Sequence, residues 1–112
     1  MDELIKFKNE AETYQDQLLD QLMTVLDPEQ GIDIVNLGLI YELDMDTEGN
    51  LHVLMTLTTI GCPLADVIGA EIKYALSELD FVNSIETEVT FEPAWDISRL
   101  SRYGRIALGI RG

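Results

Sequence analysis

Leu51-His52-Val53-Leu54-Met55-Thr56-Leu57-Thr58 runs into Thr59-Ile60-Gly61-Cys62-Pro63 and then into Leu64-Ala65-Asp66-Val67-Ile68. Leu51, Val53, Met55 and Leu57 recur every second residue, the period of a strand with one buried face. From Leu64 the period changes. Leu64, Val67, Ile68, Ile72, Ala75, Leu76 and Leu79 form one face at helical spacing, opposite Asp66, Glu71, Lys73 and Glu78. The join predicts a strand-to-helix turn. Proline suits the first turn of a helix, where its missing N–H is not needed. With Pro63 as first helical residue, Cys62 becomes the N-cap, its sulfur facing open backbone N–H groups and the positive end of the helix dipole. Both favour thiolate, the form that binds metals and attacks electrophiles. Gly61 leaves room for close approach. The competing reading is a small buried hydrophobe without chemistry.

Upstream, Tyr41, Leu43 and Met45 alternate with Glu42, Asp44 and Asp46, and Thr47-Glu48-Gly49-Asn50 supplies a turn. The apolar faces of this hairpin coincide only if Met45 pairs with Leu51 and Leu43 with Val53, because a one-residue slip inverts every side chain. Asp44 then lies opposite His52 on the outer face, so the lone histidine reads as a surface cross-strand partner. On the same register His52 is about 20 Å of strand away from Cys62, too far for a Cys–His dyad.

Further upstream, Asn9-Glu10-Ala11-Glu12 has the form of a capping box, followed by apolar residues at helical spacing, and predicts a helix from about Glu10 to Leu26. The residues before it are assigned at most a frayed extra turn. Asp27-Pro28-Glu29-Gln30-Gly31 reads as a turn with solvated acids, and 32–40 as a loop with one short helical turn. Downstream, Val82 to Phe91 carries the third strand, with Ile85, Thr87, Val89 and Phe91 inward. Pro93-Ala94-Trp95-Asp96 ends the sheet, and Trp95 reads as a core or core-edge residue. Ser98 to Leu108 forms a short final helix that Gly104 and Gly109 weaken.

The 112 residues carry 46% hydrophobic residues and one cysteine, which points to one small domain, structured over about 10–108, with no internal disulfide. No apolar run approaches a membrane span, and the N-terminus is not a secretory signal, so a cytoplasmic location is expected. A formal charge of −14 disfavours nucleic acid. No Lys or Arg lies between Lys8 and Lys73, and all four arginines (Arg99, Arg102, Arg105, Arg111) follow the last acid, Asp96. The basic segment 97–112 is expected to pack on the acidic body through Ile97, Leu100, Ile106, Leu108 and Ile110, with a homodimer contact as the home for those that one domain cannot bury. The chain lacks a phosphate loop, a dinucleotide fingerprint, His-Glu-x-x-His and Cys-x-x-Cys.

Asp27-Pro28-Glu29, Ile34-Val35-Asn36-Leu37-Gly38-Leu39-Ile40-Tyr41, Met55-Thr56-Leu57-Thr58, Gly61-Cys62-Pro63 and Glu92-Pro93-Ala94-Trp95 occur in one order across about residues 14–108. In this the chain resembles the metal–sulfur cluster biosynthetic family, which includes SufT-type maturation factors and PaaD-type proteins. The resemblance implies an α+β domain of the iron–sulfur cluster assembly type: helix, β-hairpin, helix, third strand, short helix, with helices on one face of a small mixed sheet. It implies a non-enzymatic role in delivering clusters to client apoproteins beside other assembly proteins, with Cys62 as transient ligand of iron or a cluster. It places the family's acidic turn on Asp27 and Glu29, on the same side of the domain as Cys62, with Gly61, Pro63, Thr58 and Trp95 supporting the motif. Asn36, Ile60 and Ala94 depart from the commonest pattern, where Asp, Pro and Pro are usual. Two other readings compete: an adaptor that never touches metal, and a thiol enzyme or redox sensor.

Overall fold

The computed structural model describes residues 5–58 and 62–109, apart from the side chains of Cys62 and Pro63. The strands are β1 (Lys6–Asn9), β2 (Ile40–Met45), β3 (Asn50–Met55) and β4 (Ser84–Val89), side by side in that order. The helices are α1 (Glu10–Thr13), α2 (Gln15–Leu22), α3 (Ile34–Leu37), α4 (Cys62–Leu76) and α5 (Arg102–Ala107), with a 3-10 turn at Ile97–Arg99. Strands β2 and β3 are antiparallel, whereas β1 runs parallel to β2 and β4 parallel to β3. The sheet is therefore mixed, two crossover units joined by a hairpin, and the fold is α+β.

The hairpin has the register that the apolar alternation requires: Leu43 faces Val53, Met45 faces Leu51, and Asp44 faces His52. Leu43, Val53, Leu51 and Met55 are buried beneath Leu18 and Leu22 of α2 and Ile68, Ile72 and Leu76 of α4, all in one core. Beyond the strand ends, the N–H of Thr56 donates to Leu39 O at 2.8 Å. At the hairpin tip, Asp46 accepts from the N–H groups of Glu48 and Asn50 at 2.9 and 3.0 Å, and the Asn50 N–H in particular holds its carboxyl below the usual range. The outer face is polar: Lys8 pairs with Glu42 at 2.9 Å, and His52 with Glu88 Oε1 at 2.9 Å. His52 is thus a surface partner, with its contact on β4 rather than on Asp44.

Three expectations for the N-terminal third are corrected. The frayed turn is an edge strand, β1. Asn9 is not a side-chain cap: its backbone turns through φ 56°, and its amide donates to Asp44 at 2.8 Å. The single helix is broken at Tyr14, whose ring stacks on Phe81 at 4.0 Å between centroids. Helix α4 begins at Cys62 and ends at Leu76, three residues short of Leu79. Beyond β4, Phe91 packs partly buried against the core.

The C-terminal segment does fold back, through fewer apolar groups than expected. Leu100 is buried, but Ile97 and Ile106 are 46% and 68% exposed, and Ile110 lies outside the described residues. Arg99 supplies much of the grip. Its Nε donates to Gly38 O at 2.7 Å, and its guanidinium lies 4.1 Å from the Tyr41 ring centroid. Burial lowers the Arg99 pKa. Tyr41 in turn donates to Pro93 O at 2.6 Å, and Trp95 Nε1 to Leu37 O at 2.6 Å, so Trp95 is a core-edge pin on α3. Gly104 is not a weakness. A Cβ there would meet Asn36 O at 2.7 Å, so glycine is what lets α5 lie on α3.

Gly38 and Gly31 separate strain from crowding. Both have positive φ, but a Cβ at Gly38 would sit 2.3 Å from Arg99 O, and one at Gly31 meets nothing within 4 Å. Urea unfolding should show a loss of about 1 kcal/mol for Gly31→Ala. Gly38→Ala should lose at least ~2 kcal/mol, because the C-terminal clamp must also move. Equal losses would mean the clamp contributes nothing.

Candidate functional site

The end of the sheet where β3 leaves for α4 is tied to the Asp27 turn by successive backbone hydrogen bonds. Thr56 N–H donates to Leu39 O, Leu39 N–H to Ile34 O, and Ile34 N–H to Val25 O, at 2.8, 3.0 and 3.0 Å. Leu26 and Asp33 form an isolated antiparallel bridge beside this ladder. The turn is closed by Asp27 itself, whose N–H donates to Ile32 O at 2.9 Å and whose O accepts from Gly31 at 2.8 Å.

The Asp27 side chain overturns the reading of this turn as solvated. It is 0% exposed. Oδ1 accepts from the N–H groups of Glu29 and Gln30 at 2.7 and 3.2 Å. Oδ2 is buried and has no hydrogen-bond partner among the described residues. Glu29 remains exposed. The sequence signal for the two backbone bonds was the turn's own geometry: an Asp before Pro-Glu-Gln-Gly can bond the backbone two and three residues on.

Two more buried side-chain oxygens lack partners among the described residues, Thr56 Oγ1 and Thr58 Oγ1. Thr56 is 0% exposed. A buried polar group without a hydrogen bond costs roughly 1–3 kcal/mol, so three in one chain call for a reason. Thr56 and Thr58 lie on the stretch leading to Cys62, and Asp27 closes the turn at the far end of the backbone ladder. Helix α4 begins at Cys62, so the cysteine does lie at a helix start after β3, but as the first helical residue and not as the N-cap before Pro63 that the sequence predicted. Gly61, Ile60 and the side chains of Cys62 and Pro63 lie outside the described residues, and with them the expectations for the thiol's exposure and N-cap contacts. Among the described residues, no three His, Cys, Asp or Glu side chains gather as a metal site.

Asn36 is held on three sides. Its Nδ2 donates to Asp33 Oδ1 at 2.7 Å, its N–H donates to Asp33 Oδ2 at 2.9 Å, and its Oδ1 accepts from Ser101 Oγ. An aspartate here could not donate to Asp33, so the departure from the commoner acid is matched by the Asp33 carboxylate and the Ser101 hydroxyl.

The model of the family described as "Iron-sulfur cluster assembly protein" matches residues 15–89, from the start of α2 to the end of β4. The chain belongs to the iron–sulfur cluster assembly protein family. It is 47% identical over 100 residues to the Fe-S protein maturation auxiliary factor YitW of Bacillus subtilis, covering 89% of this chain and 98% of that protein. It is 45% identical over 86 residues to the Fe-S protein maturation auxiliary factor SufT of Staphylococcus aureus, covering 77% and 98%. The crystal structure of a DUF59 domain from Bacillus anthracis matches with a TM-score of 0.82 at 44% identity, covering 89% of this chain and 95% of that one. The stretch matched by the family model contains Asp27, Glu29, Thr56, Thr58 and Cys62; Trp95 and the basic segment lie beyond it.

The unpaired oxygens make a stability prediction that needs no metal. Thr56→Val keeps the shape and removes an unsatisfied buried hydroxyl, so the metal-free protein should be as stable as wild type or up to ~1 kcal/mol more stable. Asp27→Asn, which keeps the acceptor for Glu29 and Gln30, should likewise not lower the melting temperature of the metal-free protein. A large drop for both would mean that these oxygens have partners in solution.

Proposed function

We propose that this protein is an auxiliary factor of iron–sulfur protein maturation that receives iron or a cluster at Cys62 and passes it to a client apoprotein. The observation that carries the reading is Asp27: wholly buried, with one carboxylate oxygen that has no hydrogen bond among the described residues, in the turn just past Val25, where the backbone ladder from the Thr56 stretch ends. A buried carboxyl group with one oxygen left over after its backbone hydrogen bonds is an arrangement that a cation can complete. Thr56 and Thr58 add hydroxyl oxygens on the same stretch. The names of the relatives from Bacillus subtilis and Staphylococcus aureus support the same role.

The donor set explains why the cargo is transient. Cys62 is the only thiol, and stable iron–sulfur clusters take four cysteine or histidine ligands. One thiolate and one carboxylate hold a metal weakly, and a donor site must let go. In transfer, a client thiol gives up its proton and forms a sulfur–iron bond, the Cys62 sulfur–iron bond breaks, and the Cys62 thiolate is free to take up a proton. No electron moves. The protein assembles or delivers in this reading and does not turn over a substrate. His52, the one histidine of the sequence, is engaged by Glu88 on the outer face. No described helix is long and apolar enough to cross a membrane.

Anaerobic reconstitution with ferrous iron and sulfide, followed by iron analysis and visible absorbance, tests the proposal. Wild type should bind up to one equivalent of iron or one cluster and lose it to an apoprotein acceptor within minutes. Cys62→Ser should bind neither, and Asp27→Asn should hold at least tenfold less tightly, the size of a lost charge-assisted contact, about 1.5–3 kcal/mol. A wild type that takes up neither iron nor cluster would support a metal-free adaptor, and equal loading of wild type and Cys62→Ser would remove Cys62 as the ligand.

A further inference from the structure

Helices α2 and α4 leave a groove of about 430 Å³ between them, lined by Gln21, Thr24, Glu71, Tyr74 and Glu78 among others. It is not closed by the fold. Val67, Glu71 and Tyr74 lie at i, i+4 and i+7 on one face of α4, and Glu78 continues the row in the turn beyond. Val67 is 49% and Tyr74 75% exposed. At the end of α2, Met23 and Leu26 are 36% and 52% exposed. The side chains of Glu71 and Glu78 have no hydrogen bond or ion pair among the described residues.

The complementary surface is on the same chain. Helix α5 is anchored to α3 by Gly104 against Asn36 and by the N–H of Ser101 donating to Asn36 O at 2.9 Å. Its other side presents Arg102, Tyr103 and Ile106 to solvent, Tyr103 at 61% and Ile106 at 68% exposure. Arg102 and Arg105 also lack an ion pair among the described residues. One face thus alternates apolar residues with unpaired carboxylates, and the other apolar residues with unpaired guanidinium groups.

We propose that α5 of one copy docks in the α2/α4 groove of a second copy, with Tyr103 and Ile106 on Tyr74 and Val67 and with Arg102 and Arg105 beside Glu71 and Glu78. The two copies exchange this contact around a two-fold axis, so each donates one helix and one groove. The dimer gives the exposed tail residues the partner that one domain does not supply, and it is independent of Cys62. A second copy is favoured over a foreign basic helix because both halves of the match are on this chain. The whole-body charge of −14 opposes pairing. At physiological ionic strength the screening length is about 8 Å, so that repulsion fades while charges in contact still attract. A helix of six residues is about 9 Å long and covers little area, so the dimer is weak.

Sedimentation velocity under reducing conditions, from roughly 10 µM to 1 mM, reads the association directly. Wild type should pass from monomer toward dimer over that range. A groove-reversed protein (Glu71→Arg with Glu78→Arg) and a tail-reversed protein (Arg102→Glu with Arg105→Glu) should each stay monomeric. Mixed in equal amounts they should form a heterodimer, because both contacts again join opposite charges. All four positions are at or near the surface, and far-UV circular dichroism checks folding. The milder Tyr74→Ser and Ile106→Ser should each weaken wild-type association at least tenfold. A wild type monomeric at every concentration overturns the proposal. So does association that both reversals leave intact, or a mixture no more associated than its components.

Discussion

Leu43 faces Val53 and Met45 faces Leu51 across the hairpin, and the rest of the structure depends on that register. It collects the apolar side chains of both central strands on one face, and a slip of one residue would place them in water. With the face set, α2 and α4 have one surface on which to bury their own apolar stripes. The parallel strands β1 and β4 then add at the outer edges by crossovers, so each central strand is flanked on both sides. The same pairing runs past the strands to the hydrogen bond between Thr56 and Leu39, which fixes the start of the stretch that carries the cysteine relative to α3 and the Asp27 turn.

What that end of the molecule holds is at odds with stability. Asp27 and Thr56 are as buried as the leucines around them, yet one oxygen on each lacks a hydrogen bond. A fold selected only for stability would place a valine at position 56 and an amide or apolar group at 27. Local conflict between burial and polarity marks sites kept for a task. The proposed site, one thiolate and one carboxylate, is incomplete alone, which suits a factor whose cargo must leave.

Period-two alternation fixed on a core made most of the sheet legible: the β2–β3 register, the inward set of β4 and the start of a helix near Cys62 could all be read from residues alone. β1 was not legible, because four residues give too short a pattern. The signal was a matching of charges, Lys6 and Lys8 opposite Glu42 and Asp44. The break at Tyr14 follows from a tertiary contact with Phe81 that no local pattern encodes. Gly104 read as a helix weakness, since its use lies on another element, Asn36 O. At the site, Cys62 stood out as the only thiol and Asp27 through family likeness, but the burial of Asp27 and the unpaired hydroxyls of Thr56 and Thr58 depend on packing around them.

The proposed function places a cation between Asp27 and Cys62. Anomalous diffraction at the iron edge, from crystals loaded anaerobically with ferrous iron, locates the metal without reference to activity. The account predicts one peak at bonding distance, roughly 2.0–2.4 Å, from both Cys62 Sγ and Asp27 Oδ2. Iron bound elsewhere, or a well-ordered Asp27 with Oδ2 bonded to protein and no metal beside Cys62, would contradict it.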